Sequence, residues 1–202
     1  MELLNEKDRM PDLTNKCWVF IDYTSHMNPL LPSLGERISE HETVVVVDRP
    51  VSILRGVRIP SLKARCSWRS SAKLYSHYRP LHFPEGLPGW RRISRWLNFF
   101  FLKKELDQLV PPHFSRIVFY GCPIHYRLAG RLGEALNIYY VQDNKKVTIT
   151  GNPIPGELEA ERSLLAKVDL VLCVSQHLAR QLRGLGPSSV WPPIDVFPNF
   201  YS

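Results

Sequence analysis

The chain of 202 residues lacks any long apolar run: its longest uninterrupted stretches are 17–21 (CWVFI) and 170–174 (LVLCV), far short of the roughly 20 residues that a bilayer-spanning helix requires. No membrane-spanning helix is expected. The opening residues, MELLNEKDRMPDLTNK, mix both charge signs and hold neither an apolar core nor a small-residue cleavage site, so no secretory signal is read there and the chain is expected to be cytoplasmic. Cysteine is scarce. Cys17, Cys66, Cys122 and Cys173 stand about fifty residues apart, a spacing that gives neither a CxxC metal knuckle nor a disulfide framework, and they are expected as reduced core residues. Glycine-rich phosphate loops are missing as well. The turn after the first expected strand reads YTSHMNP, which removes the main support for a dinucleotide or P-loop site. His77 and His82, five apart, fall on opposite faces of a strand and fit no metal pair, so no metal site is expected. No paired carboxylates, GxSxG elbow or Cys/His couple stands out, and the sequence offers no self-contained catalytic motif.

Acidic residues are nearly missing from one quarter of the chain. Residues 51–104 hold twelve lysines and arginines against the single acid Glu85, a net of +11 that leaves the remainder at −4 within the overall +7. A field so lopsided attracts an anionic surface such as lipid headgroups, nucleic acid or a polyphosphate, or else is a solvated basic face. The rest of the composition, 44% hydrophobic and 22% charged, excludes disorder and collagen-like repeats and suits one substantial core.

From residue 17 onward, short β-branched runs alternate with helical patterns, the mark of an α/β fold. Strands are predicted at 17–22 (CWVFID), 43–48 (TVVVVD), 115–120 (SRIVFY), 138–142 (IYYVQ) and 169–174 (DLVLCV), with a weak one inside 73–82. Helices are predicted at 33–41, 90–110, 124–136, 157–167 and 175–185. Pro111 and Pro112 stop the second, Ser175 caps the last, and Gly184 and Gly186 close it. Right-handed crossovers between such strands give a Rossmann-like open, mainly parallel sheet with helices on both faces. The expected division is a polar tail at 1–14, the α/β domain at 15–186, and a proline-rich linker at 187–202.

In such a sheet, chemistry collects at the carboxyl ends of the strands. That rule selects Tyr23, Ser25, His26 and Asn28 after the first strand, Arg49 after the second, and Gly121, Cys122 and His125 after the third. It adds Asp143, Asn144 and Lys145, then Ser175 and Gln176. Turns and helix caps use Asn28, Asp143 and Ser175 equally well. His26 and His125 suit a base or phosphate donor near neutral pH, although capping and surface roles are the commoner use of such histidines.

Residues 157–183, ELEAERSLLAKVDLVLCVSQHLARQLR, resemble the acidic helix, strand and helix near the end of the N-terminal domain of GT-B glycosyltransferases. The likeness is to the large retaining family 4 and its relatives in cell-surface polysaccharide synthesis. Asp169, Leu170, Val171, Val174, Ser175, Leu178, Ala179 and Leu182 carry it. HETVVVVDRPVS looks like the second strand of that domain, IYYVQDN like its fifth, and RIVFYGCPIHYRLAG like the strand and loop where many members place a histidine, here His125. The resemblance implies the acceptor-side half of an enzyme that moves a sugar from a nucleotide-diphosphate sugar to a polysaccharide or lipid-linked acceptor, with no resident cofactor. It implies His125 as the catalytic residue and a cleft holding His26, Asn28, Asp143, Asn144 and Ser175. TSHMNP departs from the glycine-rich first loop of many members. The donor is bound mainly by a C-terminal domain, toward which VWPPIDVFPNF resembles the connection, so the chain alone is expected to be inactive.

A non-enzymatic module docking through its basic segment on an anionic membrane or nucleic acid is the alternative. The segment 90–104, WRRISRWLNFFFLKK, interleaves aromatics with cations as a headgroup boundary favours. Ile93, Trp96, Leu97, Phe100 and Phe101 face either the core or the bilayer. Trp90, Arg91, Arg92, Arg95, Phe99 and Leu102 are expected at the membrane, peripheral on its inner face. No nucleic-acid recognition motif is present, and nucleic acid is not an expected partner.

Overall fold

The computed structural model describes residues 15–21, 30–47, 51–52, 75–78, 81–83, 89–110, 112–144, 152, 154, 156–186 and 191–197. Their elements run β1 (Lys16–Ile21), α1 (Leu30–Ile38), β2 (Thr43–Val47), β3 (Val51–Ser52), β4 (Tyr75–Tyr78), β5 (Leu81–His82), α2 (Arg91–Leu109) and β6 (Ser115–Tyr120). A 3₁₀ turn (Pro123–Arg127), β7 (Glu134–Val141), α3 (Glu157–Leu165), β8 (Leu170–Cys173), α4 (Gln176–Arg183) and β9 (Ile194–Val196) complete them. Seven strands form one sheet in the order β4-β2-β1-β6-β7-β8-β9, every pair parallel, and β3 with β5 makes a separate two-stranded ladder. The chain winds outward from β1 in one direction, then returns to β6 and winds out in the other, so the topological switch point lies between β1 and β6.

Side-chain alternation along each strand sorts the core into two layers. Cys17, Val19 and Ile21 of β1 join Val45, Val118, Tyr120, Tyr139 and Val171 on one face, under Leu102 and Leu106 of α2, Leu164 and Leu165 of α3, and Leu178 and Leu182 of α4. Phe20, Val44, Val46, Ile117, Phe119, Ile138 and Tyr140 occupy the other, with Leu34 and Ile38 of α1 packed against them. The strands are apolar on both faces because both are covered, as a parallel sheet requires. Cys17 and Cys173 are buried and Cys122 is half-buried, all three as free thiols. Burial pushes the Cys17 thiol up to about 12, against the smaller opposing pull of Arg116, which leaves it an inert packing group. Cys66 lies outside the described residues.

Two expectations are corrected. The helix read at 124–136 is a 3₁₀ turn of five residues, and β7 already begins at Glu134. Gly130 and Gly133 adopt φ of 77° and 72°, left-handed values that end helical winding. Glu134 fixes the bend by accepting hydrogen bonds from the backbone N–H groups of Gly130 (2.7 Å), Arg131 (3.2 Å) and Leu132 (2.8 Å) and from the Tyr120 hydroxyl (2.8 Å). The second correction concerns 187–202, read as a linker without a complete element. Ile194–Val196 is a strand that adds to β8, with Val171 N–H donating to Pro193 O at 2.9 Å and Phe197 N–H to Cys173 O at 2.7 Å.

Candidate functional site

Because all seven strands of the main sheet are parallel, their carboxyl ends share one edge. Two backbone bonds tie neighbouring ends together: Gly121 N–H donates to Ile21 O at 3.0 Å across β1 and β6, and Val174 N–H to Val141 O at 3.0 Å across β7 and β8. The 3₁₀ turn follows the end of β6, Asp143 and Asn144 follow β7, and Ser175 follows β8. His125, Asp143, Asn144 and Ser175 therefore sit in loops along one sheet edge that includes the switch point. His26 and Asn28, together with Arg49 and Lys145, lie outside the described residues.

The side chains at this edge are not equally available. Asp143 is exposed and Asn144 half-buried. Ser175 is the N-cap of α4, and its Oγ accepts the Leu178 N–H at 3.3 Å, the turn-and-cap use of that residue. His125 is only 1% exposed, its ring centroid 6.4 Å from that of Tyr120. The His125 ring is therefore enclosed within the turn after β6, away from open solvent.

Below the edge is a buried acid that sequence reasoning missed. Glu161 of α3 is 2% exposed, and its Oε1 accepts the Tyr139 hydroxyl of β7 at 3.0 Å. Burial first, and then the Glu161 carboxylate, push the Tyr139 phenol well above its ordinary range, with Cys122 and Asp143 adding smaller contributions of the same sign. Tyr139 thus stays a neutral donor. The sequence signal was available: Ala160, Glu161, Leu164 and Leu165 fall on one stripe of α3, and that stripe is the buried one.

Between the 3₁₀ turn and the first half of α3 lies a cleft of about 420 Å³ lined by Ile124, Tyr126, Arg127, Glu157, Glu159 and Ser163 among others. Lys167 Nζ donates to Tyr126 O at 2.8 Å and lies 5.7 Å from its ring centroid, and Arg127 Nε donates to the Tyr126 hydroxyl at 3.0 Å. These contacts fix Tyr126 as one wall, while Glu157 and Glu159 in the first turn of α3 oppose its positive dipole end. Among the described residues no group of three His, Cys, Asp or Glu side chains is placed to hold a metal ion.

The outward segment of α2 differs from expectation. Trp90, Ile93, Trp96 and Phe100 are 58%, 49%, 61% and 46% exposed. Leu102 is 2% exposed and Phe99 packs against the core, with the Arg131 guanidinium 5.2 Å from its ring centroid. Leu102 and Phe99 therefore belong to the inward face, because residues 99, 102, 106 and 110 cluster on one side of a 3.6-residue helix, whereas 93, 96 and 100 are centred about 110° round from it, on an adjacent flank. Of Arg91, Arg92 and Arg95 only the backbone, within α2, is among the described positions. No described helix is long and apolar enough to cross a membrane.

No family model matches the chain, and no curated protein matches it either. Among solved structures it is similar to a sucrose-phosphate synthase from Thermosynechococcus elongatus, at 12% identity and a TM-score of 0.58, over 93% of this chain and 91% of that chain. The YdjI aldolase from Escherichia coli K12 aligns at 13% identity over 90% of this chain and 75% of that one, but its TM-score of 0.25 carries no argument. The first likeness shows a shared α/β fold.

Proposed function

We propose that the chain is the acceptor-side domain of a glycosyltransferase, which places a polysaccharide or lipid-linked acceptor beside a nucleotide-diphosphate sugar held mainly by a C-terminal domain. The observation that carries the reading is the parallel order β4-β2-β1-β6-β7-β8-β9, with polar loops gathered on the edge that holds its switch point. The GT-B resemblance of 157–183 and the fold likeness to an enzyme named a sucrose-phosphate synthase support it.

In this reading Asp143 and Asn144 hydrogen-bond acceptor hydroxyls, and the cleft beside α3 extends their reach through Arg127, Glu157 and Ser163. His26 and Asn28, which follow β1 in sequence and lie outside the described residues, are the remaining acceptor contacts of this reading. His125, in the turn after β6, is the catalytic residue in this reading, as the resemblance implies. No resident cofactor or metal is called for, and the domain works peripherally at the inner face of the cell membrane.

Nucleotide release from a panel of nucleoside-diphosphate sugars, with and without glycan acceptors, tests the proposal on the protein made from its complete reading frame. Acceptor-dependent release that falls about tenfold or more in Asp143→Ala/Asn144→Ala, at unchanged melting temperature, is the expected result. Release indifferent to those changes removes the crevice. Absence of any transfer leaves the chain as a binding module.

A further inference from the structure

Four large apolar side chains stand in water on α2 and the residue before it, all within eleven positions: Trp90, Ile93, Trp96 and Phe100. Trp96 and Phe100 stack, ring centroids 5.4 Å apart at 16°, and Phe101 meets Phe100 edge-on at 5.8 Å. Trp96 and Phe100 thus form one outward aromatic pair, flanked by half-buried Phe101, with Ile93 one turn before it. A different side of the same helix, about 110° round, already supplies Leu102, Leu106 and Val110 to the core, so the patch is not a core face displaced by packing. Exposed apolar patches of this kind mark contact surfaces.

Charge identifies the occupant. The patch belongs to the stretch 51–104, which holds twelve cations and one acid. A second copy of the chain would bring that excess against itself, whereas an anionic surface neutralises it. Aromatic rings beside lysine and arginine suit the lipid headgroup boundary, where the rings enter the acyl margin and the cations meet phosphates. Single-stranded nucleic acid fits less well, because its binders present aromatics in grooves or on sheets, and here they form a ridge with Ile93 in the row.

We propose that the outward face of α2 is a docking surface for an anionic bilayer, with Trp90, Ile93, Trp96 and Phe100 inserted at headgroup depth and Lys103 and Lys104, which flank that face of the same helix, toward the phosphates. This names the membrane-facing side chains for the peripheral location proposed above, and replaces Phe99 and Leu102 in that role. It stands apart from glycosyl transfer, since the readout is binding.

Sedimentation with vesicles of phosphatidylcholine, alone or mixed with phosphatidylglycerol, at rising salt tests it. Binding to the mixed vesicles at low salt, weakened by salt and about tenfold or more weaker in Trp96→Ser/Phe100→Ser, is the expected result. Quenching of tryptophan fluorescence by lipids brominated near the headgroup should accompany it and fall in Trp96→Ser. The variant changes only exposed side chains, and an unaltered melting temperature confirms its fold. Three outcomes overturn the proposal: no vesicle binding at low salt, equal binding by the double variant, or binding by the wild type to single-stranded oligonucleotide or to its own second copy in place of vesicles.

Discussion

At Glu134 a single carboxylate accepts from three successive backbone N–H groups and from the Tyr120 hydroxyl, so one side chain ties down the N–H groups of residues 130–132 where the chain leaves the turn. Glu134→Ala should lower stability by about 1–2 kcal/mol, since the Leu132 N–H loses its acceptor while Tyr120 keeps Asn137 and Arg131 keeps Leu128 O, and urea unfolding measures it. A loss below about 0.5 kcal/mol, the range of an ordinary surface change, would show that the turn holds itself. Arg116 gives a pH-dependent counterpart. Its guanidinium, in β6, donates to Leu132 O at 2.5 Å and pairs with Asp107 Oδ1 at 2.8 Å. Desolvation is the largest single influence on the Asp107 carboxyl and pushes it up. The hydrogen bonds and charges of Lys103 and Arg116 together outweigh it and hold the group below its ordinary range. A carboxyl lowered by folding contributes stability that is present above its unfolded value of about 4 and lost as pH falls through the lower folded value. Asp107 is half-exposed, so the contribution is on the order of 1 kcal/mol. Asp107→Asn should cost that much at pH 7, with the gap to wild type closing by about pH 2; a gap that persists there would assign the effect to something other than charge.

The elements show where sequence periodicity suffices. β1, β2 and β6 are runs rich in β-branched and aromatic residues, and β8 is a short apolar run between turns, so no helix-period reading competes with them. α2 was equally legible as a helix, but not in its phase. Its apolar residues occupy almost every position from Trp96 to Leu102, so the sequence offers two apolar sides and only the sheet decides which is inward. α3 has the reverse difficulty, because the buried stripe carries Glu161, whose charge hides an inward position. The turn at 124–136 was misread because its leucines and alanine keep helical spacing, while the signal against it, glycines at 130 and 133, has meaning only through backbone angle. The site follows the same division. Strand ends gave the positions of His125, Asp143, Asn144 and Ser175, whereas burial of one and capping by another depend on neighbours distant in sequence. The phase of α2 is open to measurement. Leu106→Ala, in the core, should cost about 2–5 kcal/mol, and Trp96→Ser, on the outward face, should stay within about 0.5 kcal/mol. Comparable losses in urea unfolding would mean that both sides of the helix are packed.

For the whole molecule, β9 puts ordered structure inside a stretch whose prolines read as a linker. Prolines at 187, 192, 193 and 198 made 187–202 read as a linker, yet proline is compatible with a strand at a sheet edge, where one side of the backbone has no partner to serve. Ile194 is 8% exposed and joins the core, Trp191 packs against it, and Arg183 of α4 donates from Nη2 to Ile194 O at 2.7 Å. Without this segment β8 becomes an uncovered edge whose Val171 and Cys173 backbone groups lose the partners they have in Pro193 and Phe197. Three hydrogen bonds at about 1 kcal/mol each and one aliphatic side chain at about 2 kcal/mol put the loss on the order of 3–5 kcal/mol, a large share of the 5–15 kcal/mol typical of a domain. A chain ending at Gly186 should therefore unfold at clearly lower urea than one ending at Ser202, and should self-associate through the bared β8 edge. Arg183→Ala in the longer chain should lose roughly 1 kcal/mol, the part that belongs to its one bond. Equal midpoints for the two lengths, with no concentration-dependent association of the shorter, would return 187–202 to the status of a linker and place the domain boundary at the end of α4.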